Sequence, residues 1–551
     1  MPLIYFGPVA RTRGAGRHRT KGSLMSIAQN VNPCRREFVA GAAAGLAAAA
    51  TAGMTAVNAG HAAGAQGKVY VIPETWDFEA DLVIIGAGAA GYMAACAAHE
   101  EGASSLLLDK NHATGGDSSV SGCITIGPWP ERTKADSGMD DDFDTWLADQ
   151  KKSHPYSHHG LKGDPEATEH PFVERLGQLM PDTFNWMQDV AGATWINYYY
   201  NVNCWTPQPT WDTVFPRDWT VKEGVIPLMR DLVETYDDVE EMTSTEVTDI
   251  IQDESGRAIG VWALDHDGKM ICIKANRAVV IATGTFNNNR HMMNEYLGYA
   301  IASVSPAANC TSTGDGHIMA ERAGGYLHDM DLGTHWSSQT LANTSYVTSL
   351  MARHGSAPAY ETSFPGIFVN LEGKRYASET LGYSLTSKYA FEQPHSIVWY
   401  VFDGQYSNEA PEDPSTEIMA QADTLEELAS RMLVDPATFV AEVEQYNSYV
   451  EAGEDAAFGK YMNGCTKIEQ APFYAIAMCP RPYTTYGGIV VDLDGRVLTP
   501  EGDPIPSLYA AGLCCGSFAE QEGIFYLGGM SQSLAFGRQA GKIAAAEEPW
   551  A

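Results

Sequence analysis

The stretch EADLVIIGAGAAGYMAACAAHEEGASSLLLDKN, residues 79–111, constrains the fold more than any other part of the chain. Its apolar run Leu82–Ile85 lacks polar alternation, which is the pattern of a strand buried on both faces of a parallel sheet. The run breaks at Gly86-x-Gly88-x-x-Gly91 and passes into an alanine-rich helix. Glycines at this spacing allow a tight turn and let the backbone approach a pyrophosphate, whose charge sits on the helix N-terminus. A second strand, SSLLLD, ends in Asp109, 23 residues past Gly86, where a carboxylate can hold ribose hydroxyls. Strand, glycine turn, helix, strand and acid in this register predict a dinucleotide site on an α/β, Rossmann-like domain.

Later segments repeat the junction of a strand with small residues. ATGGDSSVSGC follows directly, with Gly115-Gly116 and a serine cluster. RAVVIATGTF, 277–286, is a buried strand ending in Ala282-Thr283-Gly284, and PIPSLYAAGLCCGS, 504–517, reaches Ala511-Gly512. GGMSQSLAFGRQAGKIAAA reads as a closing helix whose N-terminus faces the cofactor. A second Gly-x-Gly-x-x-Gly after a strand is absent, so the residues offer one dinucleotide site. Over roughly residues 79–545 these segments resemble the FAD-dependent flavoproteins of the fumarate reductase and 3-ketosteroid dehydrogenase superfamily, flavocytochrome c-like proteins among them. The resemblance implies FAD, with contacts from Gly86, Gly88, Ala89, Ala90, Gly91, Asp109 and Lys110. It extends them to Gly115, Gly116, Asp117, Ser118, Ser121 and Gly122, then Ala282, Thr283, Gly284 and Asp315. Gly512, Ser531, Ser533 and Leu534 complete the set.

Composition narrows the partners. A net charge of -34 repels phosphate backbones and anionic membranes, so no nucleic-acid partner is expected. The first 65 residues are a different polymer, with Arg11, Arg13, Arg17, Arg19, Lys21, Arg35 and Arg36 against Glu37 alone. A weakly apolar Ala/Gly run and Ala63–Ala65 follow, as in an export signal with a small-residue cleavage site. Arg35-Arg36 before Phe38 resembles the twin-arginine signal, a route for proteins that fold around a cofactor before crossing. A periplasmic or cell-envelope location is therefore expected for residues 66–551, and Met25 is an alternative start. The ten cysteines contain no C-x-x-C and no metal-ligand spacing. Cys514 and Cys515 read as buried packing residues, with a redox role as the alternative.

Nucleotide-binding elements at both ends predict an insertion between them. The FAD-binding domain is placed at 71–334 and 485–551, and an α+β capping domain over the flavin at 335–484, as the resemblance implies. Residues 424–455 carry apolar side chains at helical spacing and predict two cap helices, while 234–277 reads as strands with DESGR and DHDGK turns. The aromatic run 195–219 reads either as ordinary packing or as an apolar substrate wall.

The resemblance also places the chemistry. Phe368-Val369-Asn370, Gly373, Arg375-Tyr376 and Glu379 match a superfamily motif whose proton donor or acceptor lies four residues past the glutamate, at Tyr383. Fumarate reductases have arginine there and ketosteroid dehydrogenases tyrosine. Near the C-terminus, Tyr526 stands where a fumarate reductase arginine grips a carboxylate, although Leu527-Gly528-Gly529-Met530 departs from the ketosteroid Pro-Gly-x-Gly. Thr484 replaces a substrate-binding histidine, flanked by Tyr483 and Tyr486, and PAYETSF replaces the Glu-x-x-Arg proton relay. Phenols and a hydroxyl cannot hold a dicarboxylate as paired guanidinium groups do, but they can bond a ketone or enolate. The expected substrate is thus a neutral enone such as a 3-oxosteroid, exchanging hydride between its β-carbon and flavin N5. Tyr383 would exchange the α-proton, and Tyr526 with a backbone N–H near Met530 would stabilise the enolate. Another α,β-unsaturated molecule, such as a phenolic acid or lactone, is the second reading, and a flavoprotein that only carries electrons is the third. With neither haem nor NAD motif visible, a separate cytochrome or quinone-linked membrane protein is the expected electron partner.

Overall fold

The computed structural model describes residues 71–550, apart from 122, 124, 129, 131–141, 153–168, 200–217, 341–365, 380–382, 410–418, 461, 463 and 523–526. The expected export signal, Gly122, Tyr526, the PAYETSF segment and most of the aromatic run lie outside the described residues.

An eight-stranded sheet carries the nucleotide-binding elements. Its main path runs Arg496–Leu498, Pro504–Ala510, Met270–Ile281, Phe78–Ile85, Ser105–Leu108 and Val239–Met242. Pairing is parallel from Pro504–Ala510 through to Val239–Met242. Glu246–Gln252 and Ala258–Leu264 join it as an antiparallel meander ending in Met270–Ile281, with turns at Gly256 and Gly268 in DESGR and DHDGK. The Leu82–Ile85 half of the strand Phe78–Ile85 is apolar without alternation because both its faces are covered. Leu82 and Ile84 pack into one core with the helix Ala89–Glu100, and Val83 and Ile85 into a second.

The two ends of the folded part meet helix against helix. Ala89–Glu100 packs on Gly529–Ala545, and the approach is too close for any side chain at two positions. A Cβ on Gly537 would sit 2.6 Å from the Ala90 carbonyl oxygen, and one on Gly541 2.4 Å from that of Ala94. Small residues here let the two helix backbones touch along the middle of Gly529–Ala545.

A second, five-stranded antiparallel sheet follows the order Thr334–Thr340, Phe473–Thr485, Val398–Phe402 and Ile367–Asn370, with Met419–Ala422 also on Phe473–Thr485. Leu425–Met432 and Pro436–Ala452 are the two helices expected over 424–455. Each starts on a side-chain cap: Thr424 Oγ1 accepts from Glu427 N at 3.2 Å and Asp435 Oδ2 from Thr438 N at 2.8 Å. Their buried faces, with Leu428, Phe439, Val443 and Tyr446, cover Ile367, Val369 and Val401. Strand Phe473–Thr485 ends at Thr484 and Thr485, and so delivers its last residues to the nucleotide-binding region. A third, three-stranded sheet contains Trp195, which packs edge-on against Phe184 at 4.8 Å. That tryptophan is a packing residue.

Candidate active site

The strand ending at Ile85 turns on a glycine that nothing else can replace. Gly86 has φ +107°, and a Cβ there would lie 2.5 Å from the Ala282 carbonyl oxygen; one on Gly91 would lie 1.9 Å from that of Gly86. Gly88 then starts the helix Ala89–Glu100 with no side-chain cap of its own. The missing cap comes from across the cleft, where Ser118 Oγ accepts from Ala89 N at 3.2 Å. Gly115, at φ +116°, donates from its N–H to Ala87 O at 2.8 Å and packs against Ile226, which holds the Gly115-Gly116 turn over the helix N-terminus.

A cleft of about 850 Å³ opens between these pieces. Fifteen expected residues line it: Gly86, Gly88, Ala89, Ala90, Asp109, Lys110, Gly116, Asp117, Ser118, Ala282, Thr283, Gly284, Asp315, Gly512 and Ser533. Asp109 Oδ2 accepts from Ala87 N at 3.0 Å and Oδ1 from Asn111 N at 2.8 Å, leaving further lone pairs on each oxygen. Burial pushes its carboxyl above the ordinary range, partly offset by those two N–H bonds. Lys110 Nζ pairs with Asp315 Oδ2 at 2.5 Å and also donates to Thr313 Oγ1, so the first and third nucleotide-binding segments are tied together at one end of the cleft.

Five expected contacts fall elsewhere. Gly91 and Gly115 stand behind the lining and shape it. Ser531 Oγ accepts from Ile126 N at 2.6 Å, and Leu534 is fully buried among Ala90 and Met530, so both anchor the closing helix and do not line the cleft. Ser121 lies in a second cavity. Residues that the sequence reading missed are Asn111, Thr245–Val247, Thr311, Ser312 and Leu513. The strand beginning at Glu246 brings in Thr245–Val247 and the loop before Asp315 brings in Thr311 and Ser312, while Asn111 and Leu513 directly follow the expected residues Lys110 and Gly512. Cys514 and Cys515 are fully buried in the core, with Cys514 Sγ 3.3 Å from Ile281 O, as expected of packing residues.

The second cavity adjoins the cleft and shares Asp117, Ser118, Leu513 and Ser533 with it. Its remaining lining is Val120, Ser121, Ala307, Tyr483, Thr484, Gly529 and Met530. Gly529 and Met530 begin a 17-residue helix, so the positive end of that helix's dipole lies at this cavity. Three bonds pin the strand end that carries Tyr483 and Thr484. Ala307 N donates to Pro482 O at 2.8 Å, Asn287 Nδ2 to Tyr483 O at 2.6 Å, and Thr334 Oγ1 to Thr484 O at 2.7 Å. The Tyr483 phenol lies beside the Ser121 hydroxyl, and burial together with the nearby Asp117 charge raises its pKa. It is a hydrogen-bond donor at neutral pH. Tyr486 is buried at 5% exposure and is not part of this lining; its carbonyl accepts from Ser517 N and Gln521 Nε2.

Tyr383 is the first residue of the helix Tyr383–Phe391, and its side chain lies outside the described residues. What precedes it is a buried ionic cluster. Arg375 grips Glu379 through Nε at 3.1 Å and Nη2 at 2.9 Å, and Nη2 also reaches Asp455 Oδ2 at 2.9 Å. Lys460 Nζ lies 3.4 Å from Glu379 Oε2 and donates to Gly366 O at 2.7 Å, while Phe368 N donates to Glu379 Oε1 at 3.0 Å. All four charged side chains are fully buried. Lys460 and Arg375 hold the Glu379 carboxyl below its ordinary value despite its burial. The Arg375–Glu379 motif is thus a staple between the second sheet and the segment 455–460. A comparable clip stands just before residue 523: Glu522 accepts from Phe172 N at 2.7 Å and Val173 N at 3.0 Å at the start of the helix Pro171–Asp189, and burial pushes its carboxyl up to about 7.

Whether FAD fits is answered by this lining. Thr283, a residue of the cleft lining, has a buried Oγ1 atom with no hydrogen-bond partner among the described residues. Glycine turns clear the cleft walls, a helix N-terminus stands at its centre, and Asp109 retains accepting capacity for hydroxyls. Among the described residues no cluster of His, Cys, Asp or Glu is arranged to hold a metal ion. Across known proteins, the chain is 27% identical to the urocanate reductase of Eggerthella lenta, over 86% of this chain and 76% of that one. It is 25% identical to the digoxin reductase of the same organism, over 94% and 97%. Its fold matches the solved 3-ketosteroid-Δ4-(5α)-dehydrogenase of Rhodococcus jostii at a TM-score of 0.66 and 24% identity, covering 86% of this chain and 98% of that one. A family model for the FAD binding domain matches residues 81–531, so the chain belongs to this family of FAD-dependent oxidoreductases.

Proposed function

We propose that this FAD-dependent oxidoreductase acts on the C=C bond of a neutral α,β-unsaturated carbonyl compound, a ring enone such as a 3-oxosteroid. One observation carries the reading. Among the described residues, the second cavity has no cationic side chain, and its only ionisable groups are Asp117 and Tyr483. A carboxylate substrate needs fixed cationic partners in a site of low dielectric, whereas a ketone needs only donors. The Tyr483 phenol, kept protonated, and the positive helix N-terminus at Met530 are such groups.

Bound FAD supplies the hydride chemistry at the C=C bond. The protein's residues then bind and polarise the carbonyl and move one proton. Tyr483 and the helix N-terminus bond the carbonyl oxygen, Tyr526 adds a further donor, and Tyr383 exchanges the proton at the α-carbon. The Arg375–Glu379–Lys460 cluster fixes the chain just ahead of Tyr383. A phenol gives up its proton more readily in this role than it takes one at neutral pH, which favours reduction. Residues 335–484 act as the cap, electrons come from a separate cytochrome or quinone-linked membrane protein, and the twin-arginine segment directs export.

The digoxin reductase likeness supports a bulky neutral substrate, and the urocanate reductase likeness supports the second reading, another α,β-unsaturated small molecule such as a phenolic acid or lactone. Stopped-flow reoxidation of the photoreduced enzyme against a library of enones and unsaturated acids separates them. Fast reoxidation by ring enones is expected; reoxidation by acids alone contradicts the proposal, and indifference to both leaves an electron carrier. Tyr383→Phe should keep bound FAD and lower turnover by about 10²–10⁴.

A further inference from the structure

We propose that Asp117 is the specificity-determining anion of this site, a carboxylate at the junction of the two cavities that excludes ligand carboxylates. The choice of ligand rests on the function proposed above; the charge itself does not. Sequence resemblance makes Asp117 a cofactor contact, yet both of its oxygens are engaged by the protein. Oδ1 accepts from Asn309 N at 2.5 Å and Oδ2 from Ser312 Oγ at 2.7 Å. A backbone N–H can only donate, so this geometry holds Oδ1 as an acceptor. No ion pair with Asp117 exists among the described residues, and the nearby Lys110 is committed to Asp315.

Burial raises the Asp117 carboxyl above its ordinary range, partly offset by the Ser312 hydroxyl and the Asn309 N–H. When ionised it presents a negative charge with no paired cation among the described residues to both the nucleotide cleft and the second cavity, whose linings it shares. Two carboxylates in one such site cannot both ionise without a large cost, so binding an acid requires a proton on the ligand or on Asp117, and that penalty weakens it. An uncharged carbonyl escapes the restriction, and the Tyr483 phenol beside Asp117 is kept as its donor. The same charge disfavours electron uptake by a flavin bound alongside. That second consequence needs no substrate.

The test uses the FAD-loaded enzyme and its Asp117→Asn variant, with trans-cinnamate and methyl trans-cinnamate as probes. Flavin difference spectra give the two dissociation constants, and anaerobic redox titration gives the flavin midpoint. The wild type should bind the ester at least tenfold more tightly than the acid, and Asp117→Asn should close that gap to within threefold. The variant should also shift the flavin equilibrium toward the reduced form about tenfold, which is about 30 mV for a two-electron couple. Equal binding of acid and ester by the wild type, or a gap that survives the substitution, overturns the proposal. If neither probe binds, the substrate reading is at fault and the midpoint decides the charge: an unchanged midpoint overturns it. Should Asp117→Asn not fold, Asp117→Ser replaces it, and the wild-type comparison of acid with ester still decides.

Discussion

The main sheet and the second sheet solve the problem of holding a site in opposite ways. Around the nucleotide cleft, position is set by the absence of side chains. Gly86, Gly91, Gly537 and Gly541 let backbones approach until a single added carbon would collide. In the second sheet, position is set by buried charge, with Arg375, Glu379, Asp455 and Lys460 closed off from water behind Ile367–Asn370. Steric fit tolerates no substitution and gives a rigid cradle for a cofactor shared across a family. An ionic staple is directional and costs desolvation, but it ties segments that are far apart in sequence to the stretch ahead of Tyr383.

The contrast breaks most violently at Gly91. Gly91→Val forces a branched side chain onto the Gly86 carbonyl, so a loss above about 4 kcal/mol is expected, seen as no soluble protein with flavin absorbance. Retained flavin binding would show that backbone contact does not set the cradle. Lys460→Met tests the other side. It leaves two buried carboxylates to one guanidinium, and roughly 3–5 kcal/mol should be lost in denaturant melts while any folded fraction still binds FAD.

A pH series sharpens the steric side. His317, on the helix Asp315–Ala323 beneath the cleft, is completely buried and packs edge-on to Phe286, and burial lowers its pKa to about 4. The fold thus favours neutral imidazole, so the unfolded chain takes up the proton first as pH falls below about 6.5. Stability present above that pH should be lost progressively down to about 4, by roughly 3 kcal/mol in all. His317→Phe should flatten that slope. The smallest effect is expected at Ser118→Ala, which removes the borrowed cap of Ala89 at a cost of about 1 kcal/mol and weakens FAD binding several-fold in a fluorescence titration.

The same contrast explains what was legible in the sequence. Gly86-x-Gly88-x-x-Gly91 and Asp109 are close in sequence because the chemistry they serve is local, and their roles follow from spacing alone. The hairpin turns DESGR and DHDGK and the two capped helices at 425–452 were legible for the same reason. The partners of Arg375 were not: Asp455 lies 80 residues away, and no local pattern marks a buried lysine at 460. Ser531 and Leu534 illustrate the opposite error. The family resemblance puts them at the cofactor, but the contact with Ile126 and the packing on Ala90 make them anchors of the closing helix. Asp117 was marked as a contact by its place after Gly116, while the donors that engage it, Asn309 and Ser312, come from a loop with no motif.

The most direct measurement is the ratio of kcat/KM for 4-androstene-3,17-dione against fumarate, anaerobically with reduced viologen as donor. A cavity with no cation among its described residues predicts a ratio above about 10³ in favour of the ketone, the scale set by leaving a charged group without its partners. A ratio below one would mean that a dicarboxylate finds cationic anchors after all, and the neutral-substrate reading would be wrong.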